Sequence, residues 1–117
     1  MLTSSGIKLK AASLGFDLCG VASVDTFPEL SFLQEWLDRG YAGDMAWMTR
    51  TRDRRADVRN VLPDARSVIV TGTLYNTDRP YTDELPGDVA RLSRYAWGDD
   101  YHTVIKSRLD ALLAWMQ

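Results

Sequence analysis

One run of residues constrains the fold more than any other: residues 67–74 are β-branched and almost continuously apolar. Such a run predicts a central strand with both faces covered, because strands that are buried on both faces have nearly continuous apolar sequences. Residues 17–23 predict a second strand, which contains the chain's single cysteine, Cys19. We expect the two strands to form a small sheet, with Cys19 buried as a small apolar residue.

Helical patterns flank both strands. A first helix is predicted by three apolar residues on one face and a closing glycine: Ile7, Ala11, Leu14 and Gly15. Thr26 and Glu29 have the spacing of a capping box ahead of a second helix, which Gly40 ends. The apolar stripe of this second helix consists of Phe32, Leu33, Trp36 and Leu37. A short third helical piece follows Gly43 and carries Met45, Trp47 and Met48.

The last helix has the cleanest amphipathic pattern in the chain. Its cap is Asp99 or Asp100, and its stripe consists of Ile105, Leu109, Leu112, Leu113 and Met116. The segment 75–90, which includes Asp83 and two prolines, predicts a long loop. We therefore expect an α/β fold: a single domain with a small sheet and three to four packed helices. The final stripe runs to Gln117 without a capping signal, which predicts that the chain is part of a larger protein.

Composition narrows the class of protein. The chain has 117 residues, 45% of them hydrophobic and 26% charged, as in an ordinary globular protein of one domain. It has neither a membrane-length apolar run nor a signal-peptide pattern, so we expect a cytoplasmic protein without membrane contact. We also expect a monomer. One cysteine and one histidine exclude an internal disulfide and a Cys- or His-based metal cage built from this chain alone.

The segment of residues 50–59 is rich in arginine. It contains five arginines and two aspartates, although the whole chain has a formal charge of −2. Arginine suits bidentate contacts with phosphate or carboxylate groups, and the segment could hold a phosphate or a carboxamide-rich ligand. It could equally be a solvated helix face on which Asp53 and Asp57 pair with the arginines. Both interpretations stay open on the sequence.

Residues 92–102 are the densest in functional side chains. They combine aromatic residues, Gly98, two aspartates and the only histidine just before the last helix. His102 could act as a general acid or base at the helix N-terminus, or it could pack there and bond locally to Asp99. Trp97 beside Gly98 is the tryptophan that we expect near a ligand, whereas Trp36 and Trp115 are expected in the core. The glycines form no nucleotide-binding motif, and a Ser-His-Asp triad has no support.

Five segments in series resemble the N-terminal domain of the epoxyqueuosine reductase family, whose members complete queuosine in tRNA. They are residues 14–22, 36–45, 55–57, 62–69, and the motif Arg94-Tyr95-Ala96-Trp97-Gly98-Asp99-Asp100-Tyr101-His102. Taken over residues 1–117, the resemblance implies a cobalamin-binding domain, followed in the family by a ferredoxin-like domain with two [4Fe–4S] clusters and by tRNA-binding helices.

The resemblance also implies roles for individual residues. Arg55 and Ser93 match cobalamin-contacting positions, and further cofactor-binding residues are expected in the same motif: Arg94, Tyr95, Asp100, Tyr101 and His102. No catalytic residue is expected here, because the family's proton-donating aspartate matches a position beyond Gln117. The implied reaction is reduction of the epoxide on the modified base, for which this chain alone would not be competent.

Two other functions are compatible with the sequence. One is a corrinoid-dependent reductase of another substrate, such as an organohalide, because the two groups share the cobalamin-plus-ferredoxin plan. The other is a non-catalytic module whose arginines dock RNA or an acidic partner with a steep dependence on salt.

Overall fold

The expected combination of helices and strands is present in the computed structural model, which describes residues 1–81, 84–88 and 90–117. The elements are α1 (Ser4–Ser13), β1 (Leu18–Ser23), α2 (Leu30–Asp38), α3 (Ala46–Arg50), α4 (Arg52–Ala56), β2 (Ser67–Gly72) and α5 (Tyr101–Met116). Short 3₁₀ turns occupy Val58–Asn60 and Arg94–Ala96. The α/β class is confirmed. The described part of segment 75–90 is mostly irregular, as expected, and its Asp83 lies outside the described residues.

The two strands pair in antiparallel register. The amide of Asp17 donates to the carbonyl of Gly72 at 3.0 Å, and the amide of Val24 donates to the carbonyl of Arg66 at 3.1 Å. Because the described sheet has only these two strands, β2 is not the covered central strand that its composition predicts, and Val70 is 60% exposed. β-Branched residues favour extended backbone, but the number of neighbouring strands decides whether both faces are covered.

Helix boundaries follow local capping signals with one exception. The side chain of Thr3 caps α1 by accepting a hydrogen bond from the amide of Gly6, and Gly15 leaves the helix at a φ of +91°. The predicted capping box of α2 is wrong, since Glu29 occupies the N-cap without a side-chain bond. Thr26 instead accepts a bond from Arg59, and a turn after Phe27 starts the helix through the amide of Leu30.

The chain divides into two compact units, and each contains part of both strands. The first unit, residues 1–20 and 70–117, has a core where α1 and α5 meet. Ala11, Phe16 and Leu112 are buried there, and four partly buried residues pack against them: Leu14, Cys19, Ile105 and Met116. The guanidinium of Arg108 ties the helices together by donating to the carbonyl of Gly15 at 2.7 Å.

Some residues expected in the core of this unit are not buried. Cys19 is half-buried rather than enclosed, and Leu109, Leu113 and Trp115 are exposed on α5. The helix places Ile105, Leu112 and Met116 on the face that packs against the core, so a stripe wider than this face leaves some of its apolar residues in solvent.

The second unit, residues 21–69, buries less and pairs more charges. Leu37 and Ala42 are its buried residues among those described, while Trp36 is half-buried with its ring 6.4 Å from that of Tyr41. Its ion pairs join Arg39 to Glu35, Arg52 to Asp38 and Arg59 to Asp57. Across the described parts of both units, no helix has the length and apolar character needed to span a bilayer.

Candidate functional site

The turn that leads into α5 is open to solvent. The 3₁₀ turn of residues 94–96 is followed by Trp97 and by Gly98, whose φ of +81° is strained for any residue with a Cβ. Asp100 then caps α5, because its carboxylate accepts a hydrogen bond from the amide of His102 at 2.9 Å. Of the two expected caps, Asp100 is therefore the one used.

One side of this turn borders an apolar cavity of about 440 Å³, here called the aromatic cleft. Its lining consists of Thr73, Tyr75, Tyr95, Trp97, Asp99, Tyr101, Val104 and Ile105. The tyrosine rings meet edge to face, with centroid separations of 6.4 Å for Tyr75–Tyr95 and 5.9 Å for Tyr95–Tyr101. No tyrosine of this series stacks face to face on another, so the tyrosines do not cover one another's ring faces completely.

A second cavity of about 390 Å³, here called the turn cleft, lies on the turn itself. Its lining consists of Tyr95, Ala96, Gly98, Asp99, Asp100, Tyr101 and His102. Tyr95, Asp99 and Tyr101 line both cavities. The structure thus brings together four of the expected cofactor-binding residues around the turn cleft: Tyr95, Asp100, Tyr101 and His102.

His102 and Asp100 form a local pair at the start of α5. The imidazole Nδ1 lies 2.8 Å from the Asp100 carboxylate, and its ring stacks on Tyr101 at 4.0 Å with an interplanar angle of 28°. The bonding partner is therefore Asp100 and not Asp99. The amide of His102, followed by its imidazole, lowers the pKa of the Asp100 carboxyl from its ordinary 3.8. This local bond matches the packing alternative, yet the imidazole remains 73% exposed and accessible to a ligand.

The guanidinium of Arg94 forms hydrogen bonds with other groups of this chain. It donates to the side chain of Asn76 and to the carbonyls of Thr77 and Arg79, the latter two at 2.7 Å. It also lies 3.8 Å above the ring of Tyr81. Arg94 therefore fixes the chain that follows Tyr75 against the turn, and a direct contact between Arg94 and a cofactor stays a prediction.

Asp17 fixes the chain segment that contributes Thr73 and Tyr75 to the aromatic cleft. Its carboxylate accepts a hydrogen bond from the amide of Leu74 at 2.8 Å, just beyond the end of β2. Leu74 lies between two lining residues, Thr73 and Tyr75, so this bond sets the position of the chain there. The hydroxyl of Thr73 is buried and has no hydrogen-bond partner among the described residues.

Half of the residues that line the aromatic cleft are not expected there from the sequence: Thr73, Tyr75, Val104 and Ile105. The sequence predicts a strand at Thr73, a loop at Tyr75 and an apolar helix stripe at Ile105. One feature of the sequence could have predicted Thr73 and Tyr75 as site residues: they lie directly after a strand, where polar and aromatic groups become accessible. Trp97, the tryptophan expected near a ligand, lines this cleft.

Arg55 and Ser93, which are also expected to bind the cofactor, do not line the turn cleft. Ser93 is exposed and precedes the 3₁₀ turn, and its carbonyl accepts a bond from the amide of Ala96. Arg55 belongs to the second unit, where its Nε donates to Thr51 at 2.9 Å and its guanidinium lies 4.9 Å from the centroid of Trp47. Arg55 lines a small cavity of about 190 Å³ in that unit.

Two arginines of the arginine-rich segment, Arg52 and Arg59, form ion pairs with aspartates. Asp57 pairs with Arg59 at 2.6 Å, and this side-chain bond is the main reason that the pKa of the Asp57 carboxyl lies below 3.8. Arg52 pairs with Asp38, which lies outside the segment. Asp53 contributes its backbone carbonyl, which accepts a bond from Asn60. These pairs favour the interpretation as a solvated face, with Asp38 in the role expected of Asp53.

Over residues 1–81, 84–88 and 90–117, no group of three or more His, Cys, Asp or Glu side chains could hold a metal ion. The residues of the two clefts offer flat ring faces and carboxylate acceptors to a ligand.

Known proteins with similar sequences identify the family. The family model described as epoxyqueuosine reductase QueG, DUF1730, matches residues 55–117. An epoxyqueuosine reductase of Gloeobacter violaceus is 42% identical over 117 residues, covering 98% of this chain. Another, of Leadbetterella byssophila, is 39% identical over 97% of the chain, and one of Synechocystis is 45% identical over 73%.

This chain spans 35% of the Gloeobacter protein and 37% of the Leadbetterella protein. No solved structure matches it significantly. The order of the five segments, the open turn before α5 and the family match lead to one conclusion: the chain belongs to the epoxyqueuosine reductase family.

Proposed function

We propose that this chain is the cobalamin-binding part of a reductase that converts epoxyqueuosine to queuosine in tRNA. One observation carries the proposal beyond family membership: the motif of residues 94–102 forms an open turn with a solvent-accessible cleft on it. A motif that only stabilised the core would be buried, but Tyr95 and Tyr101 are 52% and 43% exposed.

The residues of the turn cleft fit a corrinoid. A corrin ring presents a broad flat face fringed with amide side chains, and the cleft offers the stacked Tyr101–His102 pair to such a face. Asp99 and Asp100 are acceptors for amide N–H groups at the same cleft. The residues proposed to hold the cofactor are Arg55, Ser93, Arg94, Tyr95, Asp100, Tyr101 and His102. Bound cobalamin would supply a cobalt centre that delivers electrons to the substrate.

The chain's own residues would bind and orient. Asp100 holds the imidazole of His102 in place, while Arg94 keeps the chain after Tyr75 against the turn. We propose no proton donor among the described residues, in keeping with the family's aspartate being matched beyond Gln117.

Electron supply is proposed to come from outside this chain. A [4Fe–4S] cluster is held by cysteine thiolates, and the chain has only Cys19. By itself the chain is therefore proposed to be inactive as a reductase. The proposed partner is tRNA, and the proposed location is the cytoplasm, with a monomeric protein.

The direct test is a titration of the 117-residue chain with cob(II)alamin, followed by the corrin absorption spectrum. We expect a saturable spectral change that is strongly weakened by Tyr101→Ala. Tyr41→Ala is the matched control, because Tyr41 is an exposed tyrosine of the second unit that also packs edge to face on an aromatic neighbour. An unchanged spectrum with the folded chain, or equal effects of the two substitutions, would refute the proposal.

A further inference from the structure

We propose that Trp47 and Thr51 are positioning residues: they hold the guanidinium of Arg55 in one orientation and leave its positive charge available to the cofactor. The group that Arg55 receives there is the carbonyl oxygen of a carboxamide. That the ligand of Arg55 is a corrinoid rests on the proposed function. The positioning itself rests on the contacts among the three side chains.

The three residues share one face of α3 and α4, with Thr51 at the junction between the two helices. Side chains four residues apart in a helix are neighbours, and Trp47, Thr51 and Arg55 keep this interval across the junction. The amide of Thr51 donates to the carbonyl of Trp47 at 3.2 Å, and the amide of Arg55 donates to the carbonyl of Thr51 at 3.1 Å. The backbone therefore aligns a ring, a hydroxyl and a guanidinium along one face.

Both of these side-chain contacts of the guanidinium are with uncharged groups. The Nε of Arg55 donates to the hydroxyl oxygen of Thr51 at 2.9 Å, and that hydroxyl donates to the carbonyl of Trp47 at 2.7 Å. The guanidinium carbon lies 4.9 Å from the centroid of the Trp47 ring. Neither contact uses the two terminal amino groups, which carry most of the N–H donors of an arginine.

Arg55 differs in this respect from two other arginines of the arginine-rich segment. Ion pairs with aspartates order Arg52 and Arg59, so those charges are already compensated. In the described part of the chain, no carboxylate forms an ion pair with Arg55. An arginine that neutral groups hold in place loses less side-chain freedom on binding, and its charge stays available to an acceptor.

The cavity beside Arg55 favours a neutral acceptor. Asp25 and Asp57 also line this cavity of about 190 Å³, and their carboxylates would oppose a phosphate. A primary carboxamide suits both kinds of group, because its oxygen accepts from a guanidinium and its N–H groups donate to a carboxylate. The rest of the lining is mostly apolar, which suits the methylene stem of a corrin amide side chain.

The experiment is a double-mutant cycle on the 117-residue chain, with cob(II)alamin affinity followed by the corrin spectrum. Thr51→Val removes the hydroxyl at nearly constant volume and should weaken binding by about two- to ten-fold. In an Arg55→Ala background the same substitution should have no further effect, because Thr51 acts only through Arg55. Thr51→Ser keeps the hydroxyl and should retain the parent affinity, and Thr49→Val is the control on the exposed surface of α3.

Trp47 and the guanidinium itself give two further measurements. Trp47→Ala should weaken binding by about two- to five-fold, whereas Trp47→Tyr keeps an aromatic face and should stay close to the parent. The NMR signal of the Arg55 Nε–H needs no cofactor, and its exchange with water should be faster in Thr51→Val than in the parent. Far-UV circular dichroism reports whether each variant folds, and if Thr51→Val does not, the two Trp47 variants decide.

The outcomes separate this inference from the proposed function. A folded parent chain that leaves the corrin spectrum unchanged refutes the proposed function, and the ligand of Arg55 with it. If the parent binds cob(II)alamin but Thr51→Val has no effect, or has the same effect with and without Arg55, the positioning role alone is overturned.

Cob(II)inamide tests the type of acceptor, because it keeps the amide side chains of the corrin but lacks the phosphodiester. We expect Thr51→Val to weaken cob(II)inamide and cob(II)alamin by the same factor. A weakening confined to cob(II)alamin would overturn the carboxamide as the group that Arg55 receives.

Discussion

The two units of this chain stabilise themselves by different means. The first, residues 1–20 and 70–117, packs α1 against α5 around Ala11, Phe16 and Leu112. The second, residues 21–69, buries only Leu37 and Ala42 among its described residues and pairs charges on its surface.

The difference matters for the site. Apolar packing fixes side chains against a dense interior, whereas exposed ion pairs contribute little and weaken with salt. Both clefts of the turn belong to the unit with the helical core, and α5, which carries Tyr101 at one end, carries the core residue Leu112 further along. The tyrosine rings that line both clefts thus belong to the more firmly packed part of the chain.

The largest effect should come from the core of the first unit. Leu112→Ala is expected to lower the free energy of unfolding by about 2–5 kcal/mol, because it removes a 2% exposed side chain and leaves a cavity. Leu113→Ala, its exposed neighbour on the same helix, is the control and should change stability far less. If chemical denaturation gave equal losses of unfolding free energy for the two variants, burial of Leu112 in the core would not be what stabilises the first unit.

The next largest effect is expected at Arg94, because its guanidinium bonds to several groups of the first unit. Arg94→Lys should destabilise by about 1–3 kcal/mol, since an ammonium cannot reach the side chain of Asn76 and two carbonyls in the same fork geometry. Arg54→Lys, in the second unit, is the matched substitution and should be nearly neutral. Denaturation would measure both, and faster proteolysis near Arg79 is expected only for Arg94→Lys.

The turn before α5 gives a smaller effect. Gly98→Ala should cost about 1–2 kcal/mol, because a Cβ is strained at its φ of +81°. Gly20→Ala is the control, with open space around its added Cβ and no positive φ. If the thermal midpoints of the two variants agree, the turn is not conformationally demanding.

The smallest effect concerns the ion pairs of the second unit. Because Arg59 holds the pKa of Asp57 below 3.8, the pair stabilises the fold above that value and loses its contribution as the pH falls through the lower folded pKa. NMR titration of the Asp57 carboxyl should show a midpoint below 3.8 in the parent chain and a return towards 3.8 in Arg59→Ala. Arg59→Lys, which keeps the charge, should give an intermediate midpoint, and a midpoint unaffected by Arg59→Ala would refute the pairing.

Local patterns predicted the elements of this fold well. Gly15 and Gly40 end helices as expected, and both strands begin within one residue of their predicted starts. These features depend on backbone preferences that are written in neighbouring residues.

What depends on tertiary context was not predictable in the same way. The coverage of β2 depends on how many strands join the sheet, and Thr26 binds Arg59, far along the chain, instead of capping α2. For the site, the motif located the turn cleft, but the aromatic cleft required knowing that the end of β2 lies beside α5. No pattern along the chain brings Thr73 and Ile105 together.

The rings of Tyr95 and Tyr101 are shared by two neighbouring cavities. A ligand that displaces these rings in one cavity changes the shape of the other cavity. Thermodynamic linkage then requires the coupling to be mutual: the factor by which one ligand changes the affinity of the other equals the factor in the reverse direction.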